Sequence, residues 1–478
     1  MCFLFLIILI HILRNCPKVF FTLSLQRAKK YLMKDNHHKE ILRIAVPSII
    51  SNITVPLLGL VDITIVGHLG AASYIGAIAI GSTIFSMIYW IFAFFRMGTS
   101  GMTSQAYGAN NLKEAQLLLF RSVISSLGIA VLILMFQKPL LELALLIMAP
   151  ADAVKTSAVL YFNICIWGAP AMLILYSITG WLLGMQNAKY PLYIAIAQNL
   201  TNIIASIFFV IYLKMNVSGV ALGTLIAQYS GLIMASILCT KVLHSRQLKI
   251  KFNLSEVIKG KSLQKFFAVN RDIFLRTLCL VCVTLYFTAA GSHQSVNILA
   301  TNALLMQFFT LYSYFMDGFA FAGEALSGKH LGAKNGRSLD NVVKALFIWG
   351  CGVSVLFTLI YAIGGNTIIS LFTNEQNVRA TASEYIYWVV CIPFAGLSAF
   401  IWDGIFIGLT ATRQMLTSMF CAMSIFFTTY LGLNNSIHNH ALWLAFILYL
   451  LTRGIMQGWL YKNKIIPLHR KNFNLIKT

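Results

Sequence analysis

Acidic side chains are scarce in this sequence: 14 Asp and Glu in 478 residues against 36 Lys and Arg, with charged residues of both signs only 10% of the chain. A soluble domain carries roughly a quarter charged residues and about half apolar ones. Here 58% of residues are hydrophobic and the mean hydropathy is +0.78. There is too little polar side chain to coat a water-facing surface, so a soluble fold is excluded. Proline is rare as well, with 9 residues, which leaves long stretches free of helix breakers. The usual marks of catalysis are missing: there is no H-E-x-x-H, no G-x-S-x-G elbow and no paired Asp cluster for Mg²⁺ diphosphate chemistry. Gly260, Lys261 and Ser262 end like a phosphate loop, but the leading glycine would have to stand at Ser255. Neither an enzyme nor ATP drive from this chain is expected. The nine cysteines are scattered, mostly in apolar runs where a thiol is a small hydrophobe. Cys279 and Cys282 have C-x-x-C spacing, but no His or second Cys pair lies near, so they read as packing.

What is present is a series of hydrophobic runs of about 20 residues, each long enough to cross a bilayer. They fall near 46 to 66, 76 to 98, 117 to 137, 158 to 182, 191 to 213 and 219 to 240. A second set falls near 273 to 291, 297 to 321, 343 to 363, 384 to 408, 415 to 433 and 441 to 461. The expected fold is therefore an all-α integral membrane protein of twelve transmembrane helices in two pseudo-symmetric six-helix lobes. The formal charge of +22 is a topology signal before it is a nucleic-acid signal, because the basic residues lie mostly between the runs. Lys113, Arg121, Lys189, Lys329, Lys334, Arg337, Lys344 and Arg413 follow even-numbered spans. The loops at 67 to 74, 291 to 296 and 433 to 441 hold no Lys or Arg. Both termini are thus expected on the cytoplasmic side. The chain divides into an extension at 1–38, a first lobe at 39–243, a basic connector at 244–270, a second lobe at 271–462 and a basic tail at 463–478. The opening MCFLFLIILIHILRN lacks a basic region before it and a cleavage site after it, unlike a signal peptide. It is short for a span; either translation starts at Met33 or this run lies flat in the interface.

An internal repeat runs through the chain. At a constant offset of 224 residues Gly67 meets Gly291, Phe85 meets Phe309, Gly108 meets Gly332, Ala109 meets Ala333 and Asn111 meets Asn335. Further on, Gly180 meets Gly404, Gly184 meets Gly408 and Lys189 meets Arg413. With six spans per repeat both halves have the same orientation, as in carriers whose repeats are related by an axis along the membrane normal.

Charged residues within spans face the bundle interior and are functional candidates by default, since each costs about 2.5–3.5 kcal/mol on insertion scales. Asp62, Asp317, Glu324 and Asp403 are in or at the edge of spans. Asp62 is the candidate coupling group. Asp317 and Asp403, with Asn199, are candidates for substrate contact. Glu324 reads rather as an ion pair near a helix end, and Arg96 and Arg276 are potential partners for the carboxylates. Asn199, Asn202 and Ser206 share one helical face, which can offer oxygens to a hard cation or hydrogen bonds to a neighbouring helix.

The segments RIAVPSIISNITVPLLGLVDITIVGHLG, YIGAIAIGSTIF, FRMGTSGMTSQAYGA, NRDIFLRTL and WDGIFIGLTATR resemble the multidrug and toxic compound extrusion (MATE) transporters, and within them the branch typified by the DNA-damage-inducible protein F. The similarity covers the chain from about Lys39 to Tyr461. It implies two six-helix lobes around a V-shaped cleft, and export of bulky, amphipathic, often cationic compounds driven by H⁺ or Na⁺. It also implies a coupling-cation site at Asp62, Asn202, Ser206 and Thr224, with Na⁺ held at Asp62 and Asn202 if sodium is the ion. Ser206 departs from the family pattern, which commonly has Asp there; it offers an oxygen but no charge, leaving Asp62 as the coupling carboxylate. No other cofactor and no nucleic acid is expected, and the partners are a small amphipathic substrate and the lipid bilayer, with the protein a monomer. The competing reading is a flippase or exporter of one lipid-linked or native metabolite, for which a more cationic cleft would be expected.

Overall fold

The computed structural model describes residues 36–67, 72–149, 151–247, 254–257 and 260–467. The opening apolar run, the choice between Met1 and Met33 and most of the tail lie outside them. The described residues are helical almost throughout, because in hydrocarbon a helix pairs every backbone N–H and C=O within itself. In the first repeat the helices are α1 (Asn36–Gly67), α2 (Ala72–Phe92), α3 (Phe94–Gly108), α4 (Leu112–Met135), α5 (Gln137–Met148), α6 (Asp152–Cys165), α7 (Ala169–Gly184), α8 (Lys189–Ile207) and α9 (Asn216–Ser245). A one-turn helix, α10 (Leu254–Val257), lies in the connector. The second repeat has α11 (Gly260–Gln294), α12 (Val296–Gly332), α13 (Gly336–Phe372), α14 (Gln376–Gly408), α15 (Thr412–Ile437) and α16 (Asn439–Leu460). Among the described residues 11 helices are long and apolar enough to cross a membrane, several of them formed by joined segments such as α2 with α3; α1, 32 residues long, completes the twelve.

The repeat is visible in the helix ends. Displaced by 224 residues, Ala72–Gly108 falls on Val296–Gly332, and Asp152–Gly184 falls on Gln376–Gly408. The G-A-x-N motif has a physical reading at both sites. Gly108 and Gly332 end a helix, Asn110 and Lys334 reverse the chain at φ 56° and 55°, and the Asn111 and Asn335 side chains accept the backbone N–H of Glu114 and Ser338 at 3.1 and 3.0 Å. Those last bonds cap α4 and α13.

The chain forms two compact units. The first is Met1–Arg96, Gln116–Leu182 and Asn187–Leu254; the second is Met97–Ala115, Leu183–Gln186 and Ser255–Thr478. In the first, α8 packs on α9 and α1, and α2 packs on α6. In the second, α14 is the central element, packed on α12, α13 and α16, with α15 on α16 and α11. The second unit also takes in most of α3, the start of α4 and the end of α7, where small residues allow backbones to touch. A Cβ at Gly108 would lie 1.9 Å from the Lys329 carbonyl oxygen, and one at Gly332 would lie 2.0 Å from that of Gln105. Gly101 lies against the Ile407 carbonyl in the same way. Side chains complete the interlock: Gln105 Nε2 donates to the Gly408 carbonyl and Gln186 Nε2 to that of Ala325, both at 2.8 Å, and Ser104 Oγ donates to that of Glu324 at 3.4 Å.

Candidate functional site

The first unit holds a polar site built by α8 and α9. Asn202 and Ser206, one turn apart on α8, are both completely buried. Asn202 Nδ2 donates to Thr224 Oγ1 on α9 at 3.1 Å, which uses the amide's donor side. Its Oδ1, and the Ser206 Oγ, have no hydrogen-bond partner among the described residues. A buried polar atom left unmet costs about 1–3 kcal/mol, so two neighbouring unmet oxygens call for a ligand. The close approach that creates the site comes from Gly223, where a Cβ would stand 2.3 Å from Ser206 Oγ. Two residues beyond Ser206 the helix widens into a π-turn, Phe208–Tyr212, a departure often found at functional positions.

Asn199 lies one turn earlier, and its Nδ2 donates to the Thr54 carbonyl of α1 at 3.1 Å. It is used in fixing α8 to α1. As first and fifth spans, α1 and α8 run in the same direction. Seven residues on from Asn199 is Ser206 and eight on from Thr54 is Asp62, rises of about 10.5 and 12 Å. Position 62 is therefore level with Ser206; the Asp62 side chain lies outside the described residues. The repeat offers a second view of the same place. Asp62, Asn202 and Ser206 correspond at the 224-residue offset to Tyr286, Phe426 and Tyr430. In the second unit Tyr286 packs on Phe426 and Tyr430, with ring centroids 6.2 and 5.6 Å away. Three positions that are polar in one repeat form an aromatic contact in the other.

The second unit has its own buried charges. Asp403 on α14 is met by three side chains. Its Oδ2 accepts from Arg276 of α11 and, at 2.5 Å, from Arg453 of α16; its Oδ1 accepts from Gln457 Nε2 at 2.7 Å. All four residues are buried, and Arg453 also stacks 5.7 Å from the centroid of the Phe400 ring. Arg276 was legible as a partner for a membrane carboxylate. Arg453 and Gln457 were not, although their spacing of four on one apolar helix is the signal that they act together. Asp317 is half-buried and Glu324 buried, both on α12 and apart from this cluster's bonds. Cys279 is buried and Cys282 exposed, and the described cysteines are all free. Asn202 belongs to the first unit and Asp403 to the second.

Comparison with known proteins agrees with this architecture. The MatE family model matches twice, over residues 47–208 and 273–430, once in each repeat. The chain is 38% identical over 417 residues to DNA damage-inducible protein F of Escherichia coli (strain K12), covering 87% of this chain and 90% of that one. It is 24% identical over 353 residues to multidrug and toxin extrusion protein 1 of Danio rerio, covering 72% of this chain and 58% of the relative. Two crystal structures share the fold at low identity. A MATE in the bent conformation superposes with a TM-score of 0.81 at 17% identity, over 93% of this chain and 98% of that one. The Vibrio cholerae MATE transporter VcmN in the bent form gives 0.76 at 16%, over 91% and 98%. A duplicated six-helix unit, a family match in each copy and a close relative over most of its length leave one assignment: the chain belongs to the MATE family of membrane transporters.

Proposed function

We propose that this protein is a secondary active antiporter that exports amphipathic compounds, cationic ones among them, in exchange for H⁺ or Na⁺. The observation that carries the reading is the pair of unfilled buried oxygens, Asn202 Oδ1 and Ser206 Oγ, beside Thr224 and level with Asp62. Oxygens of carboxylate, amide and hydroxyl type are what a hard cation takes. Asp62, Asn202, Ser206 and Thr224 would hold the coupling ion, which when bound supplies the positive charge that offsets a carboxylate within the membrane. Asp62 would bring the one negative charge of the set, and the other three would bring neutral oxygens. Filling or emptying the set changes the packing of α1 against α8 and so biases one face of an alternating-access cycle over the other. The Lys and Arg bias between spans supports an inner-membrane protein with both ends cytoplasmic.

The test is ethidium efflux from proteoliposomes of the purified protein, with a proton gradient and a sodium gradient imposed separately, beside Asp62→Asn. Efflux driven by one gradient and lost in the variant is expected and names the ion. Efflux that persists unchanged in Asp62→Asn overturns the coupling assignment.

A further inference from the structure

We infer that the Arg276 and Arg453 guanidiniums of the second unit bind a monovalent anion: the carboxylate or sulfonate group of a transported amphiphile, or a resident halide. The inference rests on the exporter reading only for the first of these sources.

The charge count is the starting point. Two guanidiniums face one carboxylate, and Asp403 is the single acid that pairs with either among the described residues. Asp272 stands one turn before Arg276, but its Oδ1 accepts from Arg271 at 3.0 Å and its Oδ2 from Thr412 Oγ1 at 3.1 Å. The cluster therefore keeps one positive charge in excess inside a membrane protein, where an uncompensated charge is costly. Hydrogen bonding shows the same deficit. Both oxygens of Asp403 are taken and Gln457 spends its amide donor on one of them, its buried Oε1 meeting no donor, while the Nε–H of Arg276 and that of Arg453 are buried with no acceptor among the described residues. An anion meets both shortfalls at once, because it brings the missing charge and lone pairs for the free donors. Guanidinium is also the side chain best suited to planar oxyanions. Asp403 then acts as a positioning residue that holds the two arginines together.

The repeat argues against a purely architectural role. At the 224-residue offset Arg276, Asp403, Arg453 and Gln457 correspond to Asn52, Thr179, Tyr229 and Ile233. The first repeat builds the same helices without the cluster.

The experiment compares two dyes in the same proteoliposomes, anionic carboxyfluorescein and cationic ethidium, for the wild type and Arg453→Gln. That variant removes the surplus charge and leaves Arg276 and Asp403 as a neutral pair. Carboxyfluorescein efflux is expected to fall about tenfold or more, with ethidium efflux held within about twofold, as loss of one charged hydrogen-bond partner implies. In parallel, wild-type crystals grown in bromide are examined for anomalous scattering at the two Nε atoms. Selective loss of carboxyfluorescein efflux assigns the site to the substrate's acid group. A bromide peak without a dye effect assigns it to a resident halide. Equal change in both dyes with no bromide peak, or no change and no peak, overturns the inference. The bromide arm needs no variant, so a poorly folding Arg453→Gln does not remove the test. Ethidium efflux that is absent throughout counts against the exporter reading and leaves the bromide result standing.

Discussion

At Asp403 a single carboxylate holds two guanidiniums and an amide, so its removal strands buried positive charge. Asp403→Asn is expected to cost about 3–5 kcal/mol, read as a clear fall in melting temperature of the purified protein. Adding Arg453→Gln to that variant should recover much of the loss, because one stranded charge goes with it; a melting temperature lower still would contradict the pairing. At Ser206 the substitution to test is the reverse kind. Ser206→Asp puts a second acid beside Asn202 and is expected to raise the number of coupling ions exchanged per substrate, measured as a flux ratio with labelled ion and dye. The sequence exposed these residues unevenly. Asp62, Asn202 and Ser206 stand out as polar atoms in apolar runs, whereas Arg453 lies inside the run at 441 to 461 with no acidic residue in that run to mark it as one of a pair. Its partner Asp403 is 50 residues away, a distance no helical spacing connects.

Among the elements, the long spans were legible because hydropathy marks them, and α5 was not. The sequence reading ended one span at 137 and began the next at 158, but Gln137–Met148 is a separate helix with no buried residue, its Leu146 78% exposed. Pro139 explains the break from α4: it lacks the N–H that a continuous helix needs, while it is tolerated in the first turn of a new one. Its repeat mate is Ile363, and there α13 runs unbroken to Phe372. Helix contacts depend on paired glycines. A Cβ at Gly180 would meet the Arg96 carbonyl oxygen at 2.3 Å, and one at Gly404 would meet that of Ala320 at 2.1 Å, the same contact in each repeat. Gly404→Ala is expected to cost about 1–3 kcal/mol by forcing α14 off α12, with Gly180→Ala close to it. Gly128→Ala, which meets nothing within 4 Å, should leave the melting temperature unchanged or slightly raised.

For the molecule as a whole, the duplication was readable because one register persists from Gly67 to Arg413, and the structure repeats helix ends, caps and left-handed turn residues at that register. What the repeat could not convey is divergence: the first copy is polar at 62, 202 and 206 where the second has aromatic rings, and the second is charged at 276, 403 and 453 where the first has Asn52, Thr179 and Tyr229. The interlock at the ends of α3, α7, α12 and α14 has a further consequence. Six backbone carbonyls, those of Gln105, Glu324, Ala325, Lys329, Ile407 and Gly408, are covered there by glycines and amide donors. If this interlock parts during transport, the carbonyl edges it covers open to water, so the cycle draws water from the bulk at that step. Turnover should then fall as an impermeant osmolyte lowers water activity at matched viscosity, since such solutes favour buried surface. A turnover indifferent to osmolyte would mean that this end stays dry throughout the cycle.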